Sequence, residues 1–369
     1  MKFSKRFKGW EKMNHRKSDK IKIPSIDLGF EIPEERIAQI PLKERDSSKL
    51  LVYYRENGRI EHHHFYELPD IIPHESVLIL NKTKVVPCRL IMNKESGGKV
   101  DVLILRWLEN YGSAGRAQVL VKGGGRKNRR GTVLLHNEIK GEIEGRDDEG
   151  KVIVRFETKE GKSLKEILNS CGLSPLPPYI KRVPDGHDKE RYQTVFGCEP
   201  GSIAAPTAGL HFTEKLMENL LLMGVEFAFI TLHIGEGTFK PIRVESLDEH
   251  VMDSEEFEID EENAEKIKRG LVCGKKIIVV GTSSVRAIEG LMTEEGEIKP
   301  FTGKTSLFIK PGFSFKIVKS MITNFHMPAS TPLALVSALI GIEEVRRIYR
   351  IALENNYRFY SYGDSMLIY

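Results

Sequence analysis

The 369-residue chain has little cysteine, no long apolar run and no strong charge of either sign, and each absence narrows its class. Its four cysteines, Cys88, Cys171, Cys198 and Cys273, include no C-x-x-C pair, so a zinc ribbon or dithiol redox site lacks support. Scattered thiols in a chain of this size suit a reducing cytoplasm better than a disulfide-stapled secreted fold. No apolar run reaches the roughly 18–20 residues that span a bilayer, so no membrane association is expected. The opening MKFSKRFKGWEKMNHRKSDK is basic, but no apolar segment follows it, which argues against a secretory signal. Residues 1–20 read as a solvated arm. A formal net charge of +4 neither requires nor excludes nucleic acid, so the local distribution of charge must decide.

What is present is a change of texture along the chain. From about residue 88 to 156, β-branched residues alternate with glycine and charged turns, as in GGKVDVLIL and GEIEGRDDEGKVIVRF. Short, regularly spaced strands without a helical period predict a small all-β barrel. After Gly201, helix-like and strand-like segments alternate: FTEKLMENLLLMG, VEFAFITLHI, ENAEKIKRG, KKIIVVG, SSVRAIEGLM. TSLFI and FKIVKSMITNF are further strand candidates. The alternation predicts an α/β domain with largely parallel strands, made of residues 21–87 and 157–369 and interrupted by the barrel at 88–156.

Three loops carry chemistry-bearing residues between packed elements. ITNFHMPASTPLALVSALIG hangs Asn324, Phe325 and His326 before a helix with Ser330 and Thr331 as caps and Pro332 near its start. APTAGLHFT places His211 after small residues, and LHIGEGTF sets His233 beside Gly235, Glu236 and Gly237, where glycines allow close approach of a flat ligand. Histidine moves protons near neutral pH. The spacing matches no metal motif, so no metal is expected. GTSSVRAIEG sets Ser283 and Ser284 at a helix amino end, which favours an anion, with Arg286 able to fork onto a carboxylate. Lys122, Arg126, Lys127, Arg129 and Arg130 form one basic turn. Lys181, Arg182, Lys189 and Arg191 lie beside Tyr179 and Tyr192. Both groups suit a nucleic-acid backbone, the tyrosines adding stacking surface.

LPPYIKR, RYQTVF, GSIAAPTAGLHFT, TLHIGEGTFKPIR, GTSSVRAIE, PGFSFKIVKSMITNFHMPASTPLALVSALIG and YRFYSYGDSMLI follow in order, with ERDSSKLLV nearer the front. Together they resemble the S-adenosylmethionine:tRNA ribosyltransferase-isomerase family of queuosine biosynthesis, from near Ile21 to the C-terminus. The chain departs from the usual pattern at Lys82, Glu236 and Ser306. The resemblance implies a barrel-like α/β domain carrying a small β-barrel. It implies a cytoplasmic enzyme, favoured as a monomer, with tRNA and S-adenosylmethionine as partners and no cofactor beyond S-adenosylmethionine as co-substrate. The implied reaction moves and isomerises the ribosyl part of S-adenosylmethionine onto 7-aminomethyl-7-deazaguanine at the tRNA wobble position. It yields epoxyqueuosine-tRNA, adenine and methionine. On this resemblance His211, His233, His326 and Asp364 are the expected acid–base groups, with His211 favoured as base. Arg45, Asp46, Thr207, Gly209, Gly235, Gly237, Thr238, Asn324 and Tyr362 are expected to orient substrate. Ser283, Ser284 and Arg286 would hold the methionine carboxylate, and Phe212 and Phe325 would flank a base. A non-catalytic RNA-binding protein and an S-adenosylmethionine-dependent RNA methyltransferase are the competing classes.

Overall fold

In the segment Val77-Leu78-Ile79-Leu80 every residue is apolar, as expected for a strand covered on both faces. The computed structural model, which describes residues 29–109, 112–123, 129–239 and 241–369, places this strand inside a three-layer domain. Residues 1–20, Arg126 and Lys127 lie outside the described residues.

The chain first lays down β1 (Lys49–Tyr53), β2 (Ile60–His64), the single turn α1 (Leu68–Ile71), β3 (Val77–Asn81) and β4 (Thr83–Val85). Six strands follow: β5 (Arg89–Lys94), β6 (Lys99–Trp107), β7 (Ala114–Lys122), β8 (Val133–Leu135), β9 (Ile139–Arg146) and β10 (Val152–Thr158). Helices α2 (Leu164–Cys171) and α3 (Asp188–Arg191) lead back to β11 (Glu199–Ser202), a 3-10 turn at Thr207–His211, α4 (Glu214–Leu222) and β12 (Glu226–Leu232). Next come β13 (Glu255–Ile259), α5 (Glu261–Val272), β14 (Ile277–Val280), α6 (Thr282–Glu294), β15 (Phe301–Thr305) and β16 (Ser320–Asn324). Helices α7 (Thr331–Ile340) and α8 (Ile342–Glu354) precede β17 (Ser365–Ile368).

Strands β5 to β10 close into an antiparallel barrel in the order β10-β7-β6-β5-β8-β9. The other large sheet has nine strands in the order β15-β13-β12-β3-β14-β16-β17-β1-β2. Four of its pairings are parallel and four antiparallel, so it is mixed rather than largely parallel. The parallel run is confined to β12, β3, β14 and β16, plus the β17–β1 pair. The β1–β2 hairpin closes one edge antiparallel, while β13 and β15 pair antiparallel at the other although α5, β14 and α6 lie between them in the chain.

Alternate residues of the strands feed two cores. Val77, Ile79 and Val279 pack with α5, α6, α7 and α8, whereas Leu78, Leu80 and Ile278 pack with α1 and α4. Thr213 caps α4 by accepting from Leu216 N–H (3.1 Å); of the two caps expected for α7, Ser330 accepts from Leu333 N–H (3.3 Å) and Thr331 is already the first helical residue. The strand expected over TSLFI lies earlier, at Phe301–Thr305, and just past its end the Thr305 hydroxyl accepts the Leu307 N–H (3.2 Å). Two departures from the family pattern find partners. Lys82 pairs with Asp260 (3.3 Å), and Glu236 pairs across to Lys151 (3.1 Å) in the turn before β10. Among the described residues no helix is long and apolar enough to cross a membrane.

Candidate active site

The carboxyl ends of parallel strands are where an open α/β sheet leaves a crevice. Here β14 stops just before Gly281 and β16 ends at Asn324, and both residues line a cleft. Gly281 adopts φ 88°, a conformation open mainly to glycine, and turns the chain straight into α6. Gly281, Thr282 and Ser283 therefore present the positive amino end of a 13-residue helix to the cleft. The opposite wall carries Thr207, Asn324, Phe325 and His326.

Arg286 reaches the cleft from one turn further along α6. Its Nε donates to the Leu307 carbonyl (3.1 Å), its Nη1 pairs with Glu255, and its Nη2 has no partner. Glu255 is itself buried, and its second oxygen accepts from Gly235 N–H (2.8 Å). Asn324 donates to the Tyr360 carbonyl (3.1 Å) and to His211 Nε2 (3.3 Å), while its Oδ1 is buried without a partner. One unused donor and one unused acceptor thus belong to residues lining the same cleft. Buried polar groups are rarely left so unless a ligand or water completes them.

His211 does not line this cleft. It lies behind Asn324, in a second, smaller cavity shared with Arg45 and Tyr362. Its ring stacks on Phe65 (centroids 5.0 Å apart), and its Nδ1 is 2.7 Å from Ser48 Oγ. The Asn324 amide is fixed by Tyr360, so Nε2 is the acceptor and Nδ1 carries the proton. Burial, with Arg358 adding to it, pushes the imidazole down to about 3. His326 accepts or donates at Thr323 Oγ1 (2.7 Å) and is likewise pushed down to about 3 by burial.

Several sequence expectations land elsewhere. His233 follows β12, and strand alternation sends it to the face opposite Ile234, which lines the cleft. It sits on Thr83 Oγ1 (2.8 Å), packed against Gly201, in a separate shallow pocket with Glu256 and Glu258. Asp364 uses both oxygens on backbone, accepting from Lys49 N–H (3.0 Å) and Arg358 N–H (2.7 Å), and so fixes the 358–364 loop. Asp46 accepts from Thr213 (2.8 Å) at the start of α4. Phe212 is fully buried core, edge-on to Phe65, and Gly209 packs against Thr194 and Phe196. Ser284 turns back onto the Val280 carbonyl (2.7 Å). Gly235 N–H is held by Glu255, Gly237 lies so close to the Asp253 carboxylate that a side chain there would meet it, and the Thr238 side chain lies outside the description.

Of the basic residues, Lys122, Lys181 and Arg182 line one groove between the barrel and the large domain. Arg182 is tied to both oxygens of Asp188 (2.6 and 2.7 Å), and Lys181 pairs with Glu34 (2.9 Å). Arg129 and Arg130 are exposed on the barrel. Sequence reasoning missed Glu255, which sits outside the quoted segments, and Ser48 and Arg358, which lie inside ERDSSKLLV and YRFYSYGDSMLI but were given no role. Among the described residues no three His, Cys, Asp or Glu side chains are placed to hold a metal.

Comparison with known proteins places this geometry in a family. The model described as "Queuosine biosynthesis protein" matches residues 26–368. An S-adenosylmethionine:tRNA ribosyltransferase-isomerase of Thermodesulfovibrio yellowstonii is 45% identical over 347 residues, covering 93% of this chain and 99% of its own. The proteins of that name from Nitrosomonas europaea and Carboxydothermus hydrogenoformans are 43% and 46% identical, each across 93% of this chain and 95% and 98% of their own. A crystal structure of the S-adenosylmethionine tRNA ribosyltransferase of Thermotoga maritima aligns with a TM-score of 0.52 at 31% identity, over 92% of this chain and 99% of that one. A family match over nearly the whole length, joined by relatives this similar end to end, establishes that the chain belongs to the queuosine biosynthesis protein family.

Proposed function

We propose that this chain is an S-adenosylmethionine:tRNA ribosyltransferase-isomerase. It moves the ribosyl part of S-adenosylmethionine onto 7-aminomethyl-7-deazaguanine at the tRNA wobble position, giving epoxyqueuosine-tRNA with release of adenine and methionine. The observation that carries this reading is the cleft at the strand ends. It joins a helix amino end to the unused Arg286 Nη2 and Asn324 Oδ1, a donor and acceptor set suited to an amino-acid carboxylate and a nucleoside.

The chemistry asks for groups of these types. The sulfonium of S-adenosylmethionine acidifies the neighbouring C5′ protons and makes methionine a good leaving group. A base takes a C5′ proton, an acid protonates departing adenine, and the substrate amine loses protons. His211 is the favoured base; it contacts Asn324, which lines the cleft, and Ser361 lines both cavities. His326 is the second proton-handling group, at the Thr323 end of the cleft. Ser283 and Arg286 bind the methionine carboxylate, Thr207 and Asn324 orient the ribosyl part, and Phe325 forms apolar wall. Asp364 acts by holding the loop that carries Tyr360 and Tyr362.

The test is product analysis with S-adenosylmethionine and tRNA bearing the aminomethyl-deazaguanine. Adenine and methionine appear together with epoxyqueuosine. S-adenosylhomocysteine instead would make the chain a methyltransferase, and RNA binding without consumption of S-adenosylmethionine would make it a binding protein.

A further inference from the structure

We infer that the cavity behind Asn324, lined by Arg45, Arg191 and Arg358 beside Ser48, His211 and Ser361, is a phosphodiester subsite that seats a backbone phosphate of the tRNA next to the wobble nucleotide. This rests on the functional reading above and assigns a specific job to a second cavity.

Three arginines line this cavity, and no carboxylate does. Their partners are backbone carbonyls. Arg45 donates to the carbonyls of Glu190 (2.9 Å) and Leu210 (3.2 Å), and Arg191 to those of Leu42 (2.7 Å) and Lys43 (2.9 Å). Arg358 donates to the carbonyls of Tyr362 and Ile40. Carbonyls satisfy hydrogen bonds but do not neutralise charge. Asp364 acts on Arg358 through space, yet both its oxygens are taken by backbone N–H groups. Two donors, Arg191 Nε and Arg358 Nε, are buried with no partner at all. Arg45 is pushed down to about 10 by burial and by Arg191, as expected where like charges meet without an anion.

Planar guanidinium forks match a phosphate, and a phosphodiester carries one charge with two free oxygens to share among them. The methionine carboxylate already has a place at Arg286, on the far side of Asn324. Ser361 lies on the rim of both cavities, so one nucleotide can reach across, its base and sugar towards the cleft and its phosphate among the arginines. The arrangement also couples binding to chemistry. Arg358 and Arg45 both disfavour a proton on His211. A phosphate seated beside them offsets that part of the field, while the larger effect of burial stays.

The test uses the full chain and an anticodon stem–loop RNA containing the aminomethyl-deazaguanine. Copies carry a neutral methylphosphonate linkage on the 5′ or on the 3′ side of that nucleotide. Wild type is expected to bind one of the two neutral copies about tenfold more weakly than the natural RNA. Arg191→Gln and Arg358→Gln are expected to bind natural RNA about tenfold more weakly and to lose the distinction between natural and neutral linkages, with the KM for S-adenosylmethionine unchanged. Equal binding of all three RNAs by wild type overturns the proposal, and this arm does not depend on any variant folding. Loss of S-adenosylmethionine binding with RNA binding intact overturns it too, since the cavity would then serve that substrate's carboxylate. Adenine release from natural RNA by wild type is scored separately. Its absence would sink the functional reading, whereas indifference to the linkage in an active enzyme sinks only the phosphate subsite.

Discussion

His211 Nε2 meets the Asn324 side-chain amide at 3.3 Å, between the cleft at the strand ends and the arginine-lined cavity. This contact fixes the tautomer of the imidazole and leaves Nε2 as the atom able to accept a proton. Replacing His211 by Ala is expected to lower turnover at least ~100-fold, the usual scale for an acid–base group. His233→Ala, on the opposite face of its strand, is expected to stay within a few-fold of wild type. Adenine release under saturating substrates measures both. Equal activity of His211→Ala and wild type removes His211 from the mechanism.

The same burial makes His211 a stability group with a definite sign. Its folded value of about 3 lies below the ordinary 6.5, so the unfolded chain binds a proton that the native state refuses. Stability from this site is complete above pH 6.5 and is lost as pH falls from there towards 3. Each pH unit in that window costs about 1.4 kcal/mol. Asp364 works in the opposite direction, because burial raises its carboxyl. Denaturant titrations at pH 7 and pH 5 are expected to differ by about 2 kcal/mol from His211 alone. His211→Gln is expected to flatten the dependence; an unchanged pH slope in that variant would exclude the site as its source.

Much of this molecule is written in local pattern. The barrel strands announce themselves by alternation, and β14, α6 and α7 by an apolar run, a glycine turn and a capping serine. The mixed sheet was not legible in the same way. Helix–strand alternation does not say whether β13 and β15 return antiparallel at an edge, because that depends on pairing between distant segments. The histidine loops were easy to see, but their facing was not. One residue of strand register separates Ile234 in the cleft from His233 outside it. Glu255 and Arg358 were invisible for another reason: each is an ordinary charged residue until the fold buries it.

Glu289 gives a further case of a charge whose role comes from burial. Fully buried in α6, it accepts from the backbone N–H groups of Lys316 (2.9 Å), Ile317 (2.9 Å) and Val318 (2.8 Å). It thereby pins the loop that feeds β16 and so positions Asn324. Glu289→Ala leaves those donors unpaired in the interior and is expected to lower stability by about 3 kcal/mol or more. Chemical denaturation reads this directly, and a loss under about 1 kcal/mol would show that the loop re-pairs with water.

The exposed cations are expected to contribute to RNA binding without base preference. Changing Lys122, Arg129 and Arg130 together to Gln should flatten the salt dependence of tRNA affinity, by about 0.7 in log–log slope for each lost contact to single-stranded RNA. Titrations across a range of KCl concentrations provide the measurement. An unaltered slope would assign these side chains to solvent rather than to the RNA backbone.

The Arg286–Glu255 pair separates binding from folding. Both residues are buried, and Glu255 also holds Gly235, so the pair fastens the glycine loop to α6 at the cleft wall. Glu255→Gln leaves the Arg286 charge without its counter-ion and is expected to cost about 3–5 kcal/mol of stability. Replacing both by Met removes the buried charges together, so most of that stability should return. Binding of S-adenosylmethionine should not return with it, because Arg286 Nη2 is the donor offered to the carboxylate. Denaturation and calorimetric titration on the two variants distinguish the roles. A doubly substituted protein that is stable and binds S-adenosylmethionine as well as wild type would mean that Arg286 serves the fold alone.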